Sequence, residues 1–200
     1  MGRAIDISPD GKYIAVGTRD GSTRIYEGPQ NWKLLAVPRV GKPKKQEWIE
    51  DIKFSPDNKF LVVSSHDNFL YLFLVPDFTK EVKRFGVSSS FITHIDWSIG
   101  SDVIRTNDGS YELLYYTIPD GKQNKSGASA YRDMDWATNS CVLGWAVAGI
   151  WQQGMDGSDI NHANRSNKPV NGSQLLATAD DFGKVSVYRY PCPVERAKSV

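Results

Sequence analysis

Two absences narrow the reading before any motif is considered. Cysteine occurs only twice, at Cys141 and Cys192, too few for a disulfide framework. Free thiols in a reducing, cytoplasmic compartment are therefore expected. Long apolar runs are missing too. The opening MGRAIDISPDG has no signal-peptide core, and no stretch approaches the about 18 uncharged apolar residues of a membrane span. Met1 and Gly2 lead straight into a strand pattern, so a longer parent protein is expected. The sequons at Asn124, Asn164 and Asn171 then read as chance matches.

Charge of one sign is also lacking. The net charge is +1 over 200 residues, whereas a nucleic-acid binder carries a basic excess to neutralise phosphates. What is abundant is aromatic: 12% of the chain, with six Trp, enough ring surface to offset the entropy of ordering a chain.

The dominant positive signal is a repeat. Ile5-Asp6-Ile7-Ser8-Pro9-Asp10-Gly11-Lys12-Tyr13 returns as Ile52-Lys53-Phe54-Ser55-Pro56-Asp57-Asn58-Lys59-Phe60. A looser copy begins at Ile95-Asp96-Trp97-Ser98. Ser55 follows Ser8 by 47 residues and Ser98 follows Ser55 by 43, which brackets the period of about 40–45 typical of WD-type propeller blades. Each copy holds an alternating strand and a Ser-Pro-Asp turn in which Pro sets φ and Asp bonds back to the backbone. A β-rich strand follows, then a turn at Asp20, Asp67 or Asp108, then an aromatic strand. A linking fourth strand is expected near Leu34–Val37 and Glu81–Phe85.

The second half of a fourth copy runs from Leu175 to Tyr188 around Asp181. Its first strand is expected at Leu143–Trp151. The fold class is thus all-β, a WD-repeat β-propeller of about four blades of four-stranded antiparallel sheets, expected over 1–38, 47–86, 90–132 and 133–191. A long loop insertion is placed at 152–172. No stretch of 12 residues has helical periodicity. Four blades cannot close a six- or seven-bladed ring, so an open arc is expected, with edges that invite a dimer.

Several segments go beyond generic propeller landmarks: Ser90-Phe91-Ile92-Thr93-His94, Arg132-Asp133-Met134-Asp135-Trp136-Ala137-Thr138, Asp156-Gly157-Ser158-Asp159-Ile160-Asn161, and Asp180-Asp181-Phe182-Gly183-Lys184 through Tyr190-Pro191-Cys192. These resemble the echinoderm microtubule-associated protein-like family across almost the whole chain. The resemblance implies a place in the later part of the second propeller of a tandem-propeller module linked to tubulin and microtubules. The family's Gly-His pair stands here as Gly86-Val87, which puts its His-centred hydrogen-bond network in doubt in that blade.

Chemical motifs do not assemble into a catalyst. Asp181-Phe182-Gly183 spells a kinase magnesium triplet, but no Gly-rich loop, strand Lys or catalytic loop accompanies it, so it reads as a blade turn. His66, His94 and His162 sit in separate segments, without the close spacing of a metal site. His66 with Asp67, and His94 with Asp96, read as hydrogen-bond partners inside a blade. Asp156 and Asp159 fail the calcium-loop pattern. The inner strands read as mostly Ala, Val, Gly and Ile. No enzyme activity, cofactor or metal is expected.

The candidate contact residues lie in two loops. Lys42, Lys44 and Lys45 form the one basic cluster, able to steer toward acidic tubulin. Trp151, Asp156, Asp159, His162 and Arg165 belong to or border the insertion, on a scaffold that presents loops. Asp20, Asp67, Asp108 and Asp181 are expected as structural turn residues. The expected function is a non-catalytic interaction scaffold at the microtubule cytoskeleton, binding tubulin or microtubules, with neither nucleic acid nor membrane as partner. The rivals are a WD scaffold for another cytoskeletal or ciliary partner and an enzyme with a site in the propeller channel.

Overall fold

The computed structural model describes residues 1–41, 47–86, 88–151, 159–195 and 197–200. The chain folds into four antiparallel sheets laid side by side, none closed on itself. The first holds β1 (Gly2–Ile7), β2 (Tyr13–Thr18), β3 (Thr23–Glu27) and β4 (Lys33–Ala36) in sequential order. The second holds β5 (Ile49–Phe54), β6 (Phe60–Ser65), β7 (Leu70–Leu74) and β8 (Glu81–Phe85). The third holds β9 (Ile92–Trp97), β10 (Val103–Asp108), β11 (Leu113–Thr117) and β12 (Lys122–Gln123). The fourth has three strands, β13 (Ile160–Arg165), β14 (Gln174–Asp180) and β15 (Val185–Tyr190). The first strands form the inner row, with β1 beside β5 and β5 beside β9. This is the architecture of an open β-propeller.

The hydrophobic core is divided among the spaces between sheets, because strand side chains alternate faces. In the second sheet, Leu61, Val63, Tyr71 and Phe73 pack toward the first sheet against Tyr13, Ala15 and Ile25. Their neighbours Val62, Leu70 and Leu72 pack the other way, against Ile92, Ile95 and Trp97. A strand buried on both faces needs apolar residues at successive positions, so Phe60–Val63 reads as a continuous run. The first layer is tight. A Cβ on Gly17 would run into the side chains of Ile49 and Ile52.

Each Ser-Pro-Asp turn repeats one set of bonds. Ser8 Oγ donates to Asp10 Oδ1 at 2.7 Å and accepts from Tyr13 N at 2.9 Å. Ser55 does the same with Asp57 and Phe60 at 2.7 and 2.9 Å; in the looser third copy, which lacks the Pro-Asp pair, Ser98 donates to Asp102, four residues on instead of two, at 2.8 Å and accepts from Val103 N at 3.0 Å. The recurrence of Ser therefore has a local cause: its hydroxyl closes the turn that starts the next strand.

The fourth sheet departs from the sequence-based expectation. Leu143–Trp151 is not a strand; Trp145–Ile150 forms a short 3-10 helix. The first strand is β13, inside the segment expected to be an insertion, and it pairs with β14 from Ile160↔Asp180 to Arg165↔Leu176. Ser166 plays the part of Ser8, accepting from Leu175 N at 3.0 Å. The additional chain therefore precedes the first strand instead of following it. The misreading came from composition, since an apolar run alone does not separate a strand from a buried helical turn. Val147 and Ile150 do enter the core, against Ile160, Leu176 and Tyr188. Close approach to the carbonyls of Cys192 and Val194 requires Gly149 to carry no side chain. Apart from this 3-10 turn, the helical content of the described residues is the single turn α1 (Gly127–Ala130).

Candidate protein-interaction surface

All four hairpin turns between second and third strands lie at the end of the sheets where the inner strands begin. Their frames are Thr18–Ser22, Ser65–Phe69, Asp108–Glu112 and Asp180–Lys184, each closed by a backbone bond from its fourth residue to its first. The fourth residues, Gly21, Asn68, Tyr111 and Gly183, all have positive φ between 60° and 77°. Two chemistries fill this one frame. Asp20 and Asp67 stand third: Asp20 Oδ1 accepts from Ser22 N and Asp67 Oδ1 from Phe69 N. Asp108 stands first and accepts from Ser110 N and Glu112 N, both at 2.9 Å.

In the fourth turn the first residue is Asp180, which accepts from Phe182 N at 3.1 Å and Lys184 N at 2.8 Å. The capping role expected of Asp181 thus belongs to its neighbour. The Asp181 carboxylate instead ties down the preceding segment, accepting from Asn161 Nδ2 at 2.6 Å and Asp159 N at 3.2 Å. The identity of the two residues hid this shift, since either Asp satisfies the same sequence pattern.

Along the inner strands, lined by residues of all four sheets from Ala4 on β1 through Asp51 on β5 and His94 on β9 to His162 on β13, opens a cleft of about 670 Å³ that reaches the turn at Tyr111. It collects three of the expected contact residues. Trp151 donates from Nε1 to Val142 O at 2.8 Å and meets the Tyr111 ring edge-on at 6.4 Å. Tyr111 in turn donates from its hydroxyl to Asp159 Oδ1 at 2.7 Å. His162 lies 5.6 Å from His94, ring centre to ring centre. Arg165 is elsewhere: it donates to Trp136 O at 2.9 Å and lies over the Tyr190 ring, on the wall of a separate cleft. Lys42, Lys44, Lys45 and Asp156 lie outside the described residues. Gly41, which precedes the lysines, sits near Asp67, and the Glu47 carbonyl that follows them sits near Gly21.

The inner strands are less apolar than their composition suggested, and their charges act as pins between sheets. Asp6 Oδ2 accepts from Phe54 N at 2.7 Å, and Asp51 Oδ2 from Ile95 N at 2.9 Å. Burial pushes both carboxyls up, against the pull of Lys53, whose ammonium lies 3.3 Å from Asp51. Asp96 takes the same part toward the segment after the third sheet, accepting from Ser140 N at 2.7 Å and Cys141 N at 3.0 Å. His66 bonds Glu50 at 2.9 Å and stacks on Phe91 at 4.3 Å; its partner is not Asp67. His94 likewise reaches out of its sheet, to Asn161 O at 3.1 Å. Burial lowers its pKa.

Chemically, these groups are spent on structure. The carboxylates accept backbone N–H bonds, and among the described residues no group of three His, Cys, Asp or Glu side chains could hold a metal ion. Burial raises both thiols, Cys141 strongly, which makes them poor nucleophiles. A second, polar-aromatic strip adjoins the cleft. Trp48 is covered by Arg3 at 4.6 Å and Arg19 at 4.3 Å, and Arg3 pairs with Glu50 at 2.6 Å. Reading the sequence missed Tyr111 and His94 as cleft residues. The available signal was register: Ile92-Thr93-His94 and Ile160-Asn161-His162 open equivalent strands.

Comparison with known proteins agrees with this architecture. The family model for the echinoderm microtubule-associated protein second beta-propeller matches residues 1–200. Human echinoderm microtubule-associated protein-like 2 is 43% identical over 200 residues, covering 98% of this chain and 29% of that protein. Human echinoderm microtubule-associated protein-like 4 is 38% identical over 201 residues, covering 99% and 20%. Echinoderm microtubule-associated protein-like 1 of Rattus norvegicus is 39% identical over 194 residues, covering 96% and 23%. The chain therefore spans less than a third of the length of these relatives. Stacked sheets, repeated turn bonds and a whole-length family match together make this chain a member of the echinoderm microtubule-associated protein family, within its second β-propeller.

Proposed function

We propose that this chain is a non-catalytic scaffold that takes part in microtubule association in the cytoplasm by presenting its turn face to protein partners. The observation that carries the reading is the employment of the ionisable groups. Asp6, Asp51 and Asp96 each hold the next segment by a backbone N–H, which makes a rigid array. Rigid presentation is what a binding surface needs, because little entropy remains to be lost on association. The relatives' shared description as microtubule-associated proteins supplies the partner class. The lysines of 42–45 carry the sign that suits an acidic tubulin surface. Trp151, Asp159 and His162 would form a separate contact in the cleft, with Trp151 and Tyr111 as aromatic anchors.

Co-sedimentation with taxol-stabilised microtubules tests the partner. The chain should pellet at low salt and be released as salt rises, and Lys42→Glu with Lys44→Glu and Lys45→Glu should weaken pelleting. Failure of the wild type to pellet at low salt would turn the reading toward a different cytoskeletal or ciliary partner.

A further inference from the structure

A second cleft, of about 470 Å³, opens between the third sheet, the fourth sheet and the segment that joins them. Three guanidinium groups line it, and each lies over an aromatic ring. Arg105 is over Trp136 at 4.4 Å, Arg132 over Trp145 at 4.7 Å and Arg165 over Tyr190 at 5.2 Å. A guanidinium laid on a ring keeps its N–H edges free for a planar acceptor such as a carboxylate.

Arg105 is the telling member. It is 4% exposed and is held from one edge only. Nε and Nη2 lie 3.1 and 3.0 Å from Asp96 Oδ2, and Nη2 donates to Asn139 Oδ1 at 2.9 Å. Nη1, on the other edge, donates to no group among the described residues, and Arg105 forms part of the cleft wall. Leaving N–H donors of a buried cation without an acceptor is costly. Arg165 converges on the same place. It donates from Nη2 to Trp136 O at 2.9 Å, and its ring partner Tyr190 donates to the same Asn139 Oδ1 at 2.9 Å.

The charges of the lining set its sign. Asp96 balances Arg105, whereas Arg132 and Arg165 have no carboxylate within ion-pair distance among the described residues. Asp133 and Asp135 also line the cleft, but both are exposed, and water damps their repulsion. An anion that enters meets one buried and one half-buried guanidinium. Aromatic walls with a few convergent polar groups are what a ligand pocket offers.

We propose that this cleft binds an acidic segment of a partner protein, one carboxylate seated on Arg105 and Arg165 and a second on Arg132. The two positions belong to different rings, so a chain with successive acidic residues suits them better than a single anion. This rests on the scaffold reading and deepens it, by adding an acid-binding site separate from the lysines of 42–45.

Titration calorimetry on the full chain tests this without tubulin. The probe is the peptide Gly-Glu-Glu-Gly-Glu-Glu-Gly with both ends blocked, and the control carries Gln in place of each Glu. Inorganic phosphate alone forms a third arm. The Glu peptide should bind saturably, and neither the Gln peptide nor phosphate should match it. Arg165→Gln and Arg132→Gln should each weaken binding by about tenfold, the scale of one charge-assisted bond. Asp135→Asn should tighten it by removing a like charge. Arg19→Gln, over the Trp48 ring, should leave the affinity unchanged. Melting temperatures report whether each variant is folded, and Arg132, exposed and free of hydrogen bonds to other segments, keeps the test open if Arg165→Gln is not.

Failure of the Glu peptide to bind, equal binding of the Gln peptide, or an unchanged affinity in the folded Arg variants overturns the proposal. Phosphate binding as tightly as the Glu peptide also overturns it, since the cleft then holds a lone anion and not an acidic chain. Microtubule pelleting of the same preparation reads the microtubule assignment separately, so either idea can fail alone.

Discussion

Asp96 on β9 and Arg105 on β10 face each other across the third sheet at 3.0 Å, both almost wholly withdrawn from water. Arg105 also donates to Asn139 Oδ1 at 2.9 Å and lies over the Trp136 ring at 4.4 Å. Asp96 receives Thr138 Oγ1 at 2.7 Å besides its backbone donors. The pair therefore fastens residues 136–141 to the third sheet, and that segment carries the chain toward the fourth.

Breaking this pair should be expensive. Burial by itself would raise the Asp96 pKa, but Arg105 and the Ser140, Thr138 and Cys141 donors outweigh it and hold the carboxyl well below the usual range. A depressed carboxyl contributes stability above the unfolded value of about 4, and loses it as pH falls toward the folded value. Asp96→Ala should cost about 3–5 kcal/mol at neutral pH, because it strands a buried guanidinium. Urea midpoints at neutral pH and at pH about 3 check both points; the variant should lose less than the wild type on acidification.

His94 gives a pH response in a different window. Burial depresses its pKa, against the pull of Asp51 and Asp96, and His162 adds to the depression. The unfolded chain then binds a proton that the folded chain refuses. Stability should fall as pH drops below the unfolded value of about 6.5. His94→Gln should flatten that slope in chemical unfolding followed between mildly alkaline and mildly acidic buffers. An unchanged slope would show that the His94 ring does not titrate as its surroundings imply.

Asp180 and Asp181 should separate by experiment although the sequence pairs them. Asp180→Ala removes the acceptor of two turn N–H groups and should cost about 1 kcal/mol in thermal unfolding. Asp181→Ala should leave the turn closed while faster amide exchange appears at Asp159, because the bond to Asp159 N is lost. The reverse assignment of effects would restore Asp181 as the cap.

The first sheet presents an apolar outer face, with Ile5 64% and Ile7 55% exposed on β1. Unpaired edges and such a face favour association. We propose that the chain by itself forms dimers, visible as a concentration-dependent shift in sedimentation velocity. Ile5→Lys combined with Ile7→Lys should restore the monomer. A wild-type chain sedimenting as a monomer at micromolar concentration removes this proposal.

Local chemistry is what the sequence by itself determined. A Ser hydroxyl that closes a turn at Ser8, Ser55 and Ser98 leaves a fixed spacing, and strands buried on two faces leave apolar runs. Both can be read without knowing what lies across from them. The sequence also implied that Trp151, Asp159 and His162 belong together, through their place around one unusual segment. Only the tertiary structure decided that Leu143–Trp151 coils instead of extending, that Asp180 caps where Asp181 was expected, and that Arg165 leaves the group. Each of those outcomes depends on what the neighbouring sheet or segment supplies: carbonyls that crowd Gly149, an Asn161 amide for Asp181, a Trp136 carbonyl for Arg165. These contacts occur once each, so they leave no periodic trace in the order of residues, unlike the bonds of Asp6, Asp51 and Asp96 to the next segment, which recur with the repeat.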